Sequence, residues 1–286
     1  MMKPTGRIRS WLRSILIATL VALLFWTVMI MMFEERFIFF PAVYPEGPYT
    51  AEQRVLKPEE HTFKTPDGVT LHAWFLRAEP AVGTILFFHG NAGNLSQRGE
   101  ILRRLRSAGF NVFIFDYRGY GKSEGSPTEA GVYLDGLAAA GYLSTLSGID
   151  SSKILYYGSS LGGAVAIDVA THRQPAGLIL VSTFSSARDV ARAVYPFLPI
   201  SLLLHSRFDS ESKIRTLQCP VLAFHGSDDT VIPINLGKKL FEAAPQPKEF
   251  HEVQGAGHND LFLVSGQDFL NRIRAFAETL LLPSTR

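Results

Sequence analysis

Residues 153–170, Lys-Ile-Leu-Tyr-Tyr-Gly-Ser-Ser-Leu-Gly-Gly-Ala-Val-Ala-Ile-Asp-Val-Ala, constrain the fold of this chain more than any other stretch. An apolar, aromatic run meets a glycine-bounded serine turn and passes at once into small and apolar residues at helical spacing. A strand without a polar face belongs inside a parallel sheet, and parallel strands need long crossovers, usually helices. This one unit therefore predicts a layered α/β architecture.

Beyond about residue 60 the chain keeps the same rhythm. Apolar runs at 69–76, 84–88, 111–115, 153–157, 177–181, 220–224 and 248–253 read as strands, several apolar on both faces. Between them, Ile101, Leu102, Leu105 and Ala108 fall at helical spacing, as do Leu134, Leu137, Ala138 and Gly141. Phe269, Leu270, Ile273, Phe276, Ala277 and Leu280 do the same near the end. The expectation is a mostly parallel central sheet with helices on both faces, in one domain over 61–286. No internal repeat or low-complexity tract interrupts it.

Residues 15–33, ILIATLVALLFWTVMIMMF, are uncharged, and as a helix would measure about 28 Å, roughly a bilayer's hydrocarbon thickness. A signal peptide is the rival, but its apolar core is shorter and ends at a small-residue cleavage site, whereas this run ends in Met31, Met32, Phe33 and Glu34. The sequence thus predicts one transmembrane helix, a signal anchor. Lys3, Arg7, Arg9 and Arg13 precede it, and Arg36 alone stands against Glu34, Glu35 and Glu46 after it. The positive-inside bias places tail 1–14 in the cytoplasm, the span at 15–33, a juxtamembrane linker at 34–60, and the main domain in a periplasm or lumen.

Composition removes other classes. With 28 basic and 26 acidic residues the formal charge is +2, too little excess to build a phosphate-binding face, so no nucleic-acid partner is expected. The single Cys219 excludes an intramolecular disulfide framework or a cysteine-built zinc site and reads as a small core residue beside Pro220. No cofactor and no metal are implied.

The segment of about 183–213 breaks the alternation. Pro196 and Pro199 punctuate an apolar stretch with Tyr195, Phe197, Leu198, Ile200, Leu202, Leu203 and Leu204. It is too short to span a bilayer. The expectation is an apolar lid over a pocket or a surface meeting lipid, with an ordinary pair of packing helices as the alternative.

Gly158-Ser159-Ser160-Leu161-Gly162 has the strand–turn–helix setting of a nucleophile elbow, with Ser160 at its central position. A serine hydroxyl needs a general base oriented by an acid. The acid should lie past a later strand end, where Asp228 and Asp229 stand. Asp229 is chosen for the layout His225-Gly226-x-x-Asp229, with Asp228 as fallback. His258, in the glycine loop 255–260 before the last helix, is the candidate base. His251 and His205 read as structural, and Asn259 and Asp260 as loop-fixing or capping. Two oxyanion donors are needed, and the backbone N–H groups of Leu161 and Asn91 occupy the expected places. His89 is expected to brace the 89–94 loop without proton transfer, and the Asp116–Ser123 turn to lock neighbouring loops. Asn94-Leu95-Ser96 is a formal glycosylation sequon whose position argues against use.

The pieces FFHGNAGNLSQRG, FDYRGYGKSEGSPTEAG, YGSSLGGAVAIDVA, FHGSDDTVIP and GAGHND, with the apolar amino-terminal run, resemble the bud-emergence (Bem) type of membrane-anchored α/β-hydrolases. These fall within the serine aminopeptidase-like hydrolase superfamily. The resemblance implies an α/β-hydrolase fold with a short apolar lid and a triad at Ser160, Asp229 and His258. It leaves the substrate open among esters, thioesters and peptides. An acyl-ester or lipid-like small molecule is the expected partner. A serine peptidase and a non-catalytic, membrane-tethered binding protein are the alternatives.

Overall fold

The computed structural model describes residues 6–198 and 200–281, with side chains from residue 10 onward except at 23, 24, 27, 28 and 30–32. Helix α1 (Gly6–Met32) leads through α2 (Glu34–Ile38), β1 (Phe40–Pro41) and α3 (Tyr49–Leu56) into β2 (Glu59–Lys64), β3 (Thr70–Leu76) and β4 (Gly83–Phe88). There follow β5 (Ala92–Gly93), α4 (Gly99–Ser107), β6 (Phe110–Phe115), α5 (Glu129–Leu143), β7 (Ile154–Ser159), α6 (Leu161–His172) and β8 (Gly177–Val181). The chain continues through α7 (Ala187–Val194), α8 (Ile200–Leu203), α9 (Ser210–Ile214), β9 (Val221–Gly226), α10 (Ile234–Ala243), β10 (Lys248–Val253), α11 (Leu261–Val264) and α12 (Gln267–Leu281).

The central sheet has eight strands in the order β10-β9-β8-β7-β4-β6-β3-β2. Pairing is parallel from β10 to β6, while β3 runs antiparallel to β6 and β2 antiparallel to β3. All seven predicted strands form. The edge strand β2 was not foreseen, because its EEHTFK sequence is mostly exposed and lacks a long apolar run. The buried faces of the sheet divide the helices. Helices α5, α6, α9 and α10 share one core with Phe88, Phe115 and Leu180. Helices α3, α4, α11 and α12 share the other with Trp74, Phe87, Tyr157 and Phe224. Burying each such side chain is worth roughly 1.5–3 kcal/mol.

Helix α5 corrects one reading. It buries Val132, Asp135, Gly136, Ala139, Ala140 and Leu143, one position away from the expected stripe. Its apolar residues surround the helix, so periodicity cannot choose a face. The choice falls to Asp135, which accepts from the Arg118 backbone N–H at 2.8 Å and from Nε at 2.9 Å.

Among the described residues no helix is long and apolar enough to cross a membrane, and several side chains of the expected transmembrane run 15–33 lie outside the described residues. Residues 34–60 are built into the domain. The buried Glu34 carboxylate accepts from the backbone N–H groups of His205 (2.8 Å) and Ser206 (2.6 Å), and burial of the carboxyl, which would raise its pKa, is outweighed by those bonds. Phe39 and Tyr49 are buried, and the Tyr49 hydroxyl donates to Asp116 at 3.0 Å. The short strand β1 pairs with β5, within the 89–94 loop.

Residues 183–213 form the three short helices α7–α9, and Phe184 and Phe208 in the flanking stretches, with Ile214 at the end of α9, join the α5 and α6 core. Helix α8 lies against α1. Phe197, at 96% exposure, and Leu202 face outward.

Helix α6 packs backbone to backbone against the end of β4. A Cβ on Gly162 would lie 2.0 Å from the Phe88 carbonyl oxygen, and backbone cannot move aside cheaply. Gly162→Ala should cost several kcal/mol, about 3 or more, as an overpacked core position does. Gly255→Ala has a positive φ of +74° but open space around it and should cost only about 1 kcal/mol. Urea unfolding of the two variants beside the parent checks this. In the same way Glu34→Gln should lower stability by about 1–3 kcal/mol, read as earlier proteolysis between 194 and 206.

Candidate active site

Strand β7 ends between β4 and β8, with Phe88 opposite Gly158 and Ser159 opposite Val181. The chain must there turn from strand to helix within one residue. That residue is Ser160, at φ +54° and ψ −121°, a conformation an L-residue adopts only when its surroundings impose it. They do so through its N–H, which donates to Val181 O at 2.8 Å, and its carbonyl, which accepts from the Thr183 hydroxyl at 2.9 Å. A Cβ on Gly158 would meet the Gly163 backbone at 2.5 Å, so only glycine lets the elbow close. Helix α6 begins at Leu161, and its first N–H groups have no intrahelical acceptor.

The sheet edge brings the other two candidates to Ser160. His258 Nε2 lies 3.0 Å from Ser160 Oγ, and His258 Nδ1 lies 2.7 Å from Asp229 Oδ2. Since a carboxylate only accepts, Nδ1 carries the proton and Nε2 is free to take one from the serine. Asp229 is buried. Its Oδ1 accepts from the N–H groups of Val231 (3.0 Å) and Ile232 (2.8 Å), and His225 Nε2 stands 3.4 Å from Oδ2. Burial alone would raise the pKa of this carboxyl. Hydrogen bonds from His225, His258 and Ile232 outweigh it and hold the group well below the usual carboxylate range.

The rival residues fall elsewhere. Asp228 is exposed and accepts from the Ser227 hydroxyl. His251 pairs with Glu249 at 3.3 Å, and His205 is an exposed neighbour of Glu34. Asp260 fixes the histidine loop by accepting from the Gly257 N–H at 2.7 Å. Among the described residues no three His, Cys, Asp or Glu side chains are grouped so as to hold a metal ion. Cys219 is buried, which pushes its thiol pKa up to about 11.

The 89–94 loop lies beside the serine, a Cβ on Gly90 falling 3.5 Å from Ser160 Cβ. His89 is fully buried, and desolvation pushes its pKa down to about 4. It is therefore neutral near pH 7, and its Nδ1–H donates to the Gly90 carbonyl at 2.7 Å. The carbonyl of residue 90 and the N–H of residue 91 belong to one rigid trans peptide and point opposite ways. Fixing the first thus aims the Asn91 N–H, which has no protein acceptor among the described residues. The Asn91 side chain is engaged with the incoming amino-terminal segment: it donates to Ile38 O and accepts from Phe40 N–H and the Tyr120 hydroxyl. Asn94 is wholly buried and donates to Ala42 O and Glu46 O, so its sequon is inaccessible in the fold. The Asp116–Ser123 turn locks loops as expected: Asp116 accepts from Tyr49 and from Leu95 N–H, and Arg118 pairs with Asp67 and Asp135.

A cleft of about 200 Å³ reaches His258 and is lined also by Gly90, Arg98, Ser159, Phe87 and Phe262 among others. No residue of 183–213, the expected lid, lines this cleft. That segment packs on the other face of the sheet. Sequence reasoning also missed Arg98. Its only signal was an arginine in the first turn after the loop, indistinguishable there from a solvated surface charge.

Comparison with known proteins bears on the fold and the family. The profile of the family described as "Serine aminopeptidase, S33" matches residues 79–209. The protein Rv2307c of Mycobacterium tuberculosis is 39% identical over 256 residues, covering 87% of this chain and 89% of its own. Protein bem46 of Schizosaccharomyces pombe is 35% identical over 249 residues, covering 81% and 82%. Among solved structures, the Pyrococcus furiosus esterase Pf2001 superposes with a TM-score of 0.70 at 20% identity, over 85% of this chain and 98% of that one, a likeness of fold. The eight-stranded sheet with helices on both faces is the α/β-hydrolase fold, and the chain belongs to the Bem46-like family of α/β-hydrolases, within the serine aminopeptidase S33 group.

Proposed function

We propose that the protein is a serine hydrolase that cleaves acyl esters or thioesters through an acyl-enzyme. The observation that carries this reading is the hydrogen-bonded chain Ser160 Oγ, His258 Nε2, His258 Nδ1, Asp229 Oδ2 at 3.0 and 2.7 Å. Ser160 Oγ attacks the carbonyl carbon as its proton passes to His258 Nε2. Asp229 holds the ring and stabilises the imidazolium. The oxyanion takes hydrogen bonds from the Leu161 and Asn91 N–H groups, at the positive end of α6. His258 then hands its proton to the leaving oxygen or sulfur. Water, deprotonated by His258, attacks the acyl-enzyme and releases the acid.

An aminopeptidase needs a carboxylate to receive the substrate's ammonium group. The carboxylate beside the cleft, Glu100, is bound to Arg103 and Arg104 at 2.8 and 2.7 Å. Ester cleavage is therefore the better reading. Location is proposed from sequence: the uncharged run 15–33 anchors the protein once in a membrane, amino terminus cytoplasmic and hydrolase domain outside.

Stoichiometric fluorophosphonate labelling of the full chain is expected, abolished in Ser160→Ala. Asp229→Asn should lower kcat on p-nitrophenyl esters by about 10⁴-fold while preserving the fold. Faster turnover of aminoacyl anilides than of esters would favour the peptidase. A folded protein that neither labels nor turns over would favour a tethered binding protein. Alkaline carbonate washing should leave the full chain in the membrane pellet and release a chain lacking residues 1–33; release of both refutes the anchor.

A further inference from the structure

The cleft beside the triad contains a positive charge that the hydrolytic steps do not use. Arg98 lines it together with His258, Asn259, Leu261 and Phe262. Its Nη2 donates to the carbonyl oxygens of Gly90, at 3.5 Å, and Ala92. Its Nε is buried without a hydrogen-bond partner. Among the described residues no carboxylate forms an ion pair with it. Burying a guanidinium with donors unmet is costly, and the cost is recovered when an anion arrives. The charges around it leave room for one. Glu100, the acid on the cleft wall, is neutralised by Arg103 and Arg104. Asp116, whose charge Arg98 feels, is bound to the Tyr49 hydroxyl and the Leu95 N–H.

The cleft also lies on a definite side of the reacting bond. The group that leaves must sit beside His258 Nε2, which protonates it, and His258 and the three residues 259, 261 and 262 line this cavity. Its volume of about 200 Å³ exceeds the roughly 150 Å³ that admits a benzene ring. Phe87, Ile101, Tyr157 and Val181 supply an apolar floor. We propose that this cleft is the leaving-group subsite and that Arg98 selects esters whose leaving alcohol carries an anionic oxygen group, a carboxylate or a phosphate, about one ring's length from the ester. The assignment rests on the serine-hydrolase reading above. Because Arg98 also braces the 90–92 loop, its loss should slow every substrate, and selectivity is the informative quantity.

The test compares 4-acetoxybenzoate and 4-acetoxyphenyl phosphate with neutral methyl 4-acetoxybenzoate, using the full chain in detergent. Each kcat/KM is divided by the ester's own rate of hydroxide hydrolysis. The parent should favour at least one anionic ester on the order of tenfold, mainly through KM, as a charge-assisted hydrogen bond allows. Which anion gains more distinguishes carboxylate from phosphate. Arg98→Gln should bring the ratio near one, and Arg98→Lys should retain part of it. Since both esters meet the same enzyme, loss from a loosened loop cancels in the ratio, and thermal unfolding confirms that the variants fold. A parent ratio of one or less, or a ratio unchanged in Arg98→Gln, overturns the proposal.

Calorimetric binding of 4-acetamidobenzoate and its methyl ester to Ser160→Ala separates this from the hydrolase reading, because it needs no turnover. Preference for the carboxylate that disappears in Ser160→Ala/Arg98→Gln supports the subsite even in a protein that fails to label. Equal binding of the two refutes it even in one that labels fully.

Discussion

Everything at this site depends on a single backbone turn that an L-residue makes only when its surroundings impose it. Ser160 sits at φ +54° between β7 and α6, and the strain is sustained because Val181, Thr183 and two glycine contacts leave the chain no other path. The turn lifts Oγ clear of the sheet edge and puts unbonded helix N–H groups beneath it. Gly162 lets α6 approach the Phe88 carbonyl, and β4 leads directly into the 89–94 loop. Nucleophile and candidate oxyanion donors are therefore positioned by one packing contact.

The amino-terminal segment stabilises the same region from outside. Residues 38–49 reach across the domain and bond to Asn91, Asn94 and Asp116, three side chains in or beside the candidate oxyanion loop. Glu34 meanwhile binds the backbone of the 183–213 segment. A buried carboxylate that accepts two backbone N–H groups is a stiff joint, since losing either bond leaves a charge unsatisfied. Helix α2 is thus coupled to the candidate oxyanion loop at one end and to the 183–213 segment at the other.

The cleft and those helices have separate roles in the fold. The cavity that reaches His258 opens between the start of α4 and α11, on one side of the sheet edge. The apolar excursion 183–213 lies on the other, with Phe197 and Leu202 outward. Arg98 gives the cleft a polarity that its aromatic floor lacks, and it does so while holding the loop that carries the Asn91 N–H. A residue in both roles links substrate charge to loop geometry.

Local physics was enough to specify the α/β architecture, the seven predicted strands and the positions of Ser160, Asp229 and His258, because strand periodicity, a glycine-bounded turn and a glycine loop are all short-range signals. What the chain alone could not decide depended on contacts far apart in sequence. The orientation of α5 waited on Asp135 finding Arg118. Asp229 was chosen over its neighbour from a local layout, and the contact itself joins it to a histidine 29 residues away at 2.7 Å. The edge strand β2 needed its partner β3, and residues 34–60 looked like a linker because their anchors lie up to 172 residues away. Nothing local in the sequence singles out Arg98; tertiary packing places it at a cleft where, among the described residues, no acid pairs with it, because burial and pairing are properties of the assembled fold and not of the residue.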